Sequence, residues 1–137
     1  MAKPQGNLSA SQYEIMEAIW TKGPEGATVA EIWEEIARGR EVTRTTVLNL
    51  VTRLEKRGWL LRREDEKPLR YLVALDRQKT SERLAEGFVN DFFGGSARQL
   101  VMSLLGSKRL KAEDIKRLQS ELSLKTSKKK RGTKRKV

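Results

Sequence analysis

The sequence predicts a mostly α-helical fold with one small β-hairpin: three short helices and the hairpin over residues 8–75, helices alone over 76–123, and a basic tail at 124–137. Three observations lead there. Apolar residues recur at helical spacing in successive segments, and the first three segments each open on a Ser or Thr able to cap. Two short runs, Trp59–Arg63 and Leu69–Leu75, flank a charged turn at Glu64–Pro68. Beyond Asp76 the only periodicity left is helical.

Taken in order, Ser9 caps a helix running to about Thr21, with Gln12 in the N3 position of a capping box and Ile15, Met16, Ile19 and Trp20 facing a core. Gly23-Pro24-Glu25-Gly26 breaks the chain, and Thr28 with Glu31 starts a second helix whose buried face is Val29, Ile32, Trp33 and Ile36, ended by Gly39. Thr43 caps the third. There Val47, Leu50, Val51 and Leu54 fall at i, i+3, i+4 and i+7, the spacing of a buried stripe. At about 100° per residue, Thr45, Asn49, Thr52 and Lys56 fall on the opposite side, flanked by Thr46 and Arg53. That outward face is small, polar and basic. Its only neighbouring acid, Glu55, lies off to the side, so nothing on the face repels a phosphate or blocks hydrogen bonds to base edges. An ordinary solvated helix mixes Glu with Lys and has no reason to collect poor helix formers such as Thr and Asn.

Gly58 stands where a left-handed helix terminus favours glycine, and the hairpin follows. Three helices and a two-stranded hairpin, with a short turn between the second and third helices, make a winged helix-turn-helix, in which the third helix enters the major groove. The candidate DNA-binding residues are therefore Thr43, Arg44, Thr45, Thr46, Asn49, Thr52, Arg53 and Lys56 on the reading helix. Arg63, Lys67 and Arg70 on the wing, with neighbouring Arg62, are expected to hold phosphates, and Tyr71 to add a phosphate hydrogen bond or else to lie in the core.

From Asp76 onward Leu84, Phe88, Phe92 and Phe93 form one apolar stripe, and Leu100, Val101, Leu104 and Leu105 another after the Gly94-Gly95 break. Leu110, Ile115, Leu118 and Leu122 form a third. That is too much apolar surface for short helices in water, so residues 76–123 are expected to be a helical dimerisation domain; a self-contained three-helix bundle is the alternative. The dimerisation candidates are Leu84, Phe88, Phe92, Phe93, Leu100, Val101, Leu104, Leu105 and Leu118.

The formal charge of +11 is unevenly placed, because residues 125–137 hold eight Lys or Arg and no acid, leaving +3 for the rest. With no apolar residue before Val137, this tail is expected to be disordered, either a phosphate-contacting arm or a solubilising extension. The chain has no Cys and no His, which removes disulfides, thiolate and imidazole metal ligands, and Cys or His catalysis. No Gly-rich phosphate loop is present, and the remaining carboxylates sit on expected solvent faces. Neither an enzyme nor a cofactor is expected. No apolar run approaches the roughly 20 residues that span a bilayer, and the N-terminus lacks the apolar core of a secretory signal, so the protein is expected in the cytoplasm without membrane insertion.

Three groups of residues carry a family resemblance. Leu8-Ser9, Glu14-Ile15-Met16 and Ile19-Trp20 lead into Val42-Thr43-Arg44-Thr45-Thr46-Val47, Leu50, Thr52-Arg53-Leu54 and Lys56-Arg57-Gly58, and the likeness resumes at Phe93-Gly94-Gly95-Ser96 and Leu100-Val101. In this order they resemble the BlaI/MecI (penicillinase repressor) family of bacterial transcriptional repressors over roughly residues 8–123. The resemblance implies a homodimer on a palindromic DNA operator. It also implies release when a membrane sensor-protease signals cleavage within the dimerisation helices. The cleaved region aligns near Ser103-Leu104, where this chain lacks the Asn-Phe pair of the antibiotic-resistance repressors. It also lacks the C-terminal cysteine cluster of the copper-responsive branch. Two other functions compete with a sequence-specific repressor: a winged-helix protein-interaction module, and a non-specific architectural DNA binder driven by the tail. Exposed aromatics on residues 43–57 would favour the protein module, but that face has none.

Overall fold

The computed structural model describes residues 4–65 and 67–135, with side chains as far as residue 127. It divides into two compact units, Met1–Gly87 and Phe88–Val137. The first holds α1 (Ala10–Lys22), α2 (Val29–Ala37), α3 (Arg44–Lys56), β1 (Leu60–Arg63) and β2 (Arg70–Val73). It also takes the first turns of α4 (Arg77–Phe92), while α5 (Ala97–Gly106) and α6 (Ala112–Arg135) belong to the second. The described chain is a mostly helical winged helix-turn-helix followed by helices alone.

Local chemistry starts each of the first three helices. The Ser9 hydroxyl accepts the Gln12 N–H at 3.1 Å while Gln12 Oε1 accepts the Ser9 N–H at 2.9 Å. Thr28 and Glu31 repeat the arrangement at 3.1 and 3.0 Å, and Thr43 accepts the Thr46 N–H at 3.1 Å. Each cap satisfies N–H groups that a helix start leaves without partners. α2 ends at Ala37 with Arg38 as its C-cap, slightly earlier than Gly39 alone would suggest.

One core unites the first unit. Ile15, Met16, Ala18 and Ile19 of α1 meet Ile32 and Ile36 of α2 and Val47, Val51 and Leu54 of α3, with Trp59, Leu60 and Tyr71 from the hairpin. Leu50 packs at its edge. The hairpin is antiparallel, with Leu60 opposite Val73 and Arg63 opposite Arg70. On its other edge β2 is bridged to Ala27: Ala27 N–H donates to the Tyr71 carbonyl at 3.0 Å and Tyr71 N–H to that of Ala27 at 2.8 Å. Gly26 makes this docking possible. Its φ is +85°, and a Cβ there would run into the Tyr71 carbonyl. The wing is thus hydrogen-bonded to the turn between α1 and α2.

In the second unit α4 ends where Gly94 and Gly95 take positive φ, and Ser96 caps α5 by accepting the Gln99 N–H at 3.1 Å. Phe88 stacks on Phe92 and Phe93 with ring centroids 5.1 and 5.7 Å away. Little of the apolar surface is covered: Phe92 is 71 % exposed, Leu118 55 % and Phe88 48 %, with Val101 and Leu105 also exposed. Leu84 (in the first unit), Phe93, Leu100 and Leu104 are half-buried.

α6 differs from expectation, because its backbone stays helical through Arg135 where a disordered tail was expected from residue 124. Helix hydrogen bonds close within a few residues, and Lys and Arg are good helix formers, so a proline-free basic run extends a helix without burying anything. The basic side chains from Lys128 to Lys136 lie outside the described residues.

Candidate nucleic-acid interface

α3 turns its apolar stripe inward, with Val47, Val51 and Leu54 buried and Leu50 half-buried at the core's edge. Thr43, Arg44, Thr45, Thr46, Asn49, Thr52, Arg53 and Lys56 are all exposed. The helix thereby presents a polar and basic strip that contains no carboxylate and includes one exposed apolar side chain, Leu48. Several members are already oriented. Thr43 Oγ1 donates to Thr46 Oγ1 at 2.9 Å, and Thr52 Oγ1 donates to the Leu48 carbonyl at 2.8 Å, so both hydroxyl protons are engaged within the helix. The Arg44 guanidinium lies 4.8 Å over the Trp33 ring, whose Nε1 donates to the Val42 carbonyl at 2.7 Å. Trp33 therefore pins the α2–α3 turn and parks Arg44 at the start of the strip.

The wing arginines face different partners. Arg62 pairs with Glu55 of α3 at 3.0 Å, and the hydrogen bond and charge of Glu55 raise the guanidinium's pKa. Arg63 donates to the Glu25 carbonyl and to Asp65, both at 3.2 Å, which holds the Asp65 carboxyl below its ordinary range. Arg70 is half-buried, donating to the Gly26 carbonyl at 3.2 Å and to Glu31 Oε1 at 3.1 Å. Lys67 is exposed near the hairpin tip. Tyr71 lies in the core, 5 % exposed, so the phosphate contact is set aside in favour of the packing role. The physical reason is the pleat: Tyr71 shares its strand face with Val73, which sits opposite buried Leu60.

Glu31 is the hub of this arrangement. It accepts the Thr28 N–H in the capping box, pairs with Arg70 and lies 3.5 Å from Lys22 of α1. Its carboxyl is held below the ordinary glutamate range, chiefly by the Thr28 N–H and then, against some desolvation, by Arg70 and Lys22. None of this was visible in the sequence beyond the capping box, because Arg70 lies 39 residues away along the chain.

The model of the penicillinase repressor family matches residues 8–123. The chain belongs to that family. The repressor match takes in α1–α5, both strands and α6 up to residue 123, leaving the basic tail outside. Similar proteins include the methicillin resistance regulatory protein MecI of Mammaliicoccus sciuri, 28% identical over 86% of this chain and 94% of that one. The penicillinase repressor of Staphylococcus aureus is 28% identical over 90% of this chain and 96% of its own length. Among solved structures, the monomeric form of Bacillus licheniformis BlaI in complex with the blaP half-operator aligns with a TM-score of 0.47 at 22% identity, over 57% of this chain and 92% of that one. As a member of the penicillinase repressor family, the chain is a DNA-binding repressor and not an enzyme. Among the described residues no helix is long and apolar enough to cross a membrane.

Proposed function

We propose that the chain acts as a cytoplasmic homodimer on a palindromic operator in duplex DNA, with α3 in the major groove and the second unit joining the two copies. The observation that carries this reading is the acid-free exposed strip of α3, mounted on an apolar stripe whose Val47, Val51 and Leu54 are buried. Asn49 has the amide geometry to pair bidentately with an adenine edge, and Arg53 reaches a guanine or a phosphate. Lys56 and Lys67 supply phosphate charge at the end of the strip and at the wing tip.

A single reading helix covers only a few base pairs, so two copies on half-sites about one helical turn apart are needed for specificity. The exposed Phe88, Phe92, Val101 and Leu118 support a second copy as the cover of the second unit. Any event that separates the copies lowers affinity by removing the effective-concentration gain, without altering α3. Cleavage within the second unit on a signal from a membrane sensor-protease is one such event.

Asn49→Ala tests the base-reading assignment. On a duplex selected by the wild-type protein from random-sequence DNA, the loss should be about 1–3 kcal/mol, with little change on random duplex. Alanine is the better helix former, so no loss of fold confuses the result. Equal losses on both duplexes would remove Asn49 from the reading face.

A further inference from the structure

The segment before α1 is built into the fold at several points. Gln5 N–H donates to the Arg57 carbonyl at 2.9 Å, capping the C-terminal end of α3. In return Arg57 donates through Nε to the Gln5 carbonyl at 3.0 Å, through Nη2 to the Asn7 carbonyl and through Nη1 to Gln12 Oε1 at 3.3 Å. Buried Trp59 adds Nε1 to the Gln5 carbonyl at 3.0 Å. From the other side, Arg83 of α4 donates to the Pro4 carbonyl at 2.6 Å. Two glycines make the fit possible. A Cβ at Gly6 would stand 2.7 Å from Arg57 Nη2, and one at Gly87 of α4 would stand 2.7 Å from Asn7 Oδ1. One short segment therefore touches the end of the reading helix and two sites on α4.

The start of α4 has a separate tether. Arg77 lies 3.7 Å from Glu17 and 4.8 Å over the Trp20 ring, both on α1. Arg77 and Arg83 are six positions apart, about 9 Å along a helix. Two tethers that far apart fix the direction of a helix axis, whereas one leaves a pivot.

We infer that Pro4–Asn7 is a strap that makes α3 and the first turns of α4 a single rigid body, and that Arg83 is a positioning residue which sets the spacing between half-sites. The inference rests on the homodimeric DNA reading above, because α4 leads from the reading unit into the apolar helices. Its lever arm makes the effect large. Over the 16 residues of α4, roughly 24 Å, a swing of about 10° about the Arg77 end moves the far end by about 4 Å, close to one base-pair step.

The test uses the full chain. Because the sequence contains no Cys, Glu34→Cys on α2 and Glu86→Cys on α4, both exposed, accept a pair of spin labels without competing sites. Labelled chains are diluted tenfold into unlabelled ones, and the distance distribution is measured without DNA. Arg83→Ala should widen the distribution at least twofold, and Arg83→Lys, which keeps a donor, should restore it. An unchanged width in Arg83→Ala overturns the strap. In parallel, a palindrome selected by the wild-type protein is lengthened or shortened at its centre by one base pair. The wild type should lose more than tenfold in affinity, and Arg83→Ala less than threefold, while both bind an isolated half-site within twofold of each other. If Arg83→Ala keeps the wild-type spacer selectivity, or loses half-site binding as well, the positioning role is overturned. If the wild-type protein selects no duplex, the DNA reading fails and so does the spacing role, while the label distances still decide whether the strap holds α4.

Discussion

Replacing Arg70 with alanine should loosen the winged unit and leave its salt-dependent DNA binding intact. The guanidinium joins β2 to the Gly26 carbonyl and to Glu31, with 26% and 27% of the two charged side chains exposed. Solvent at this exposure limits the ion pair to about 0.5–1 kcal/mol, and losing the donor to Gly26 adds about 1 kcal/mol. The expected loss is therefore about 1.5–2 kcal/mol, which for a unit of this size lowers the melting temperature by on the order of 10 °C. Glu31→Ala should cost a similar amount, about 1.5–2 kcal/mol, because it removes the same ion pair and, in place of the Gly26 bond, the acceptor for the Thr28 N–H. The double variant should fall short of the sum by about 0.5–1 kcal/mol, the coupling of the pair. Urea titrations followed by the fluorescence of Trp20, Trp33 and Trp59 read all three. The Glu31 contribution also has a pH signature: its carboxyl is held low in the folded state, so the stabilisation is complete above the unfolded glutamate's pKa and is lost as pH falls through the lowered folded value. Against DNA, Arg70→Ala should preserve the slope of log affinity against log salt, whereas deleting a phosphate contact reduces it by about 1. A variant with wild-type urea midpoint and a shallower slope would refute the inward role of Arg70.

Two further outcomes follow from buried and exposed side chains. Thr80 is fully buried and its hydroxyl has no hydrogen-bond partner among the described residues, so Thr80→Val should raise stability by about 1 kcal/mol; a loss in urea titration would mean the hydroxyl is satisfied. Phe92→Asp should turn the proposed dimer into monomers by analytical ultracentrifugation while leaving the urea midpoint of the first unit unchanged, and a variant that stays dimeric would place the interface elsewhere.

What the sequence disclosed divides along the range of the interactions. The caps at Ser9, Thr28 and Thr43 and the stripe of α3 were legible because their partners lie within one or two helical turns. The outward strip followed from the stripe by geometry alone. The strap was not legible: Pro4–Asn7 reads as a polar start, and the residues that hold it, Arg57, Trp59 and Arg83, lie 50 to 79 positions away. Tyr71 was half legible, because strand alternation already sets it on the face of Val73 rather than of Arg70.

The wing shows why a count of basic residues overstates what DNA can reach. Arg62, Arg63 and Arg70 carry the same formal charge as Arg53, yet each wing arginine has a carboxylate within hydrogen-bond reach: Glu55, Asp65 and Glu31 in turn. Only the last of these pairs is substantially sheltered from solvent on both sides, and it is also the one whose carboxylate caps α2. A phosphate would have to displace Glu31 from Arg70 at the expense of that cap, whereas Arg62, itself the more exposed member of its pair, and Arg63, whose partner Asp65 is exposed, give up pairs whose carboxylates cap no helix. On the proposed DNA reading, the phosphate grip of the wing should therefore come from Lys67 first and from Arg62 or Arg63 after rearrangement, with base reading left to the strip of α3 that no carboxylate interrupts.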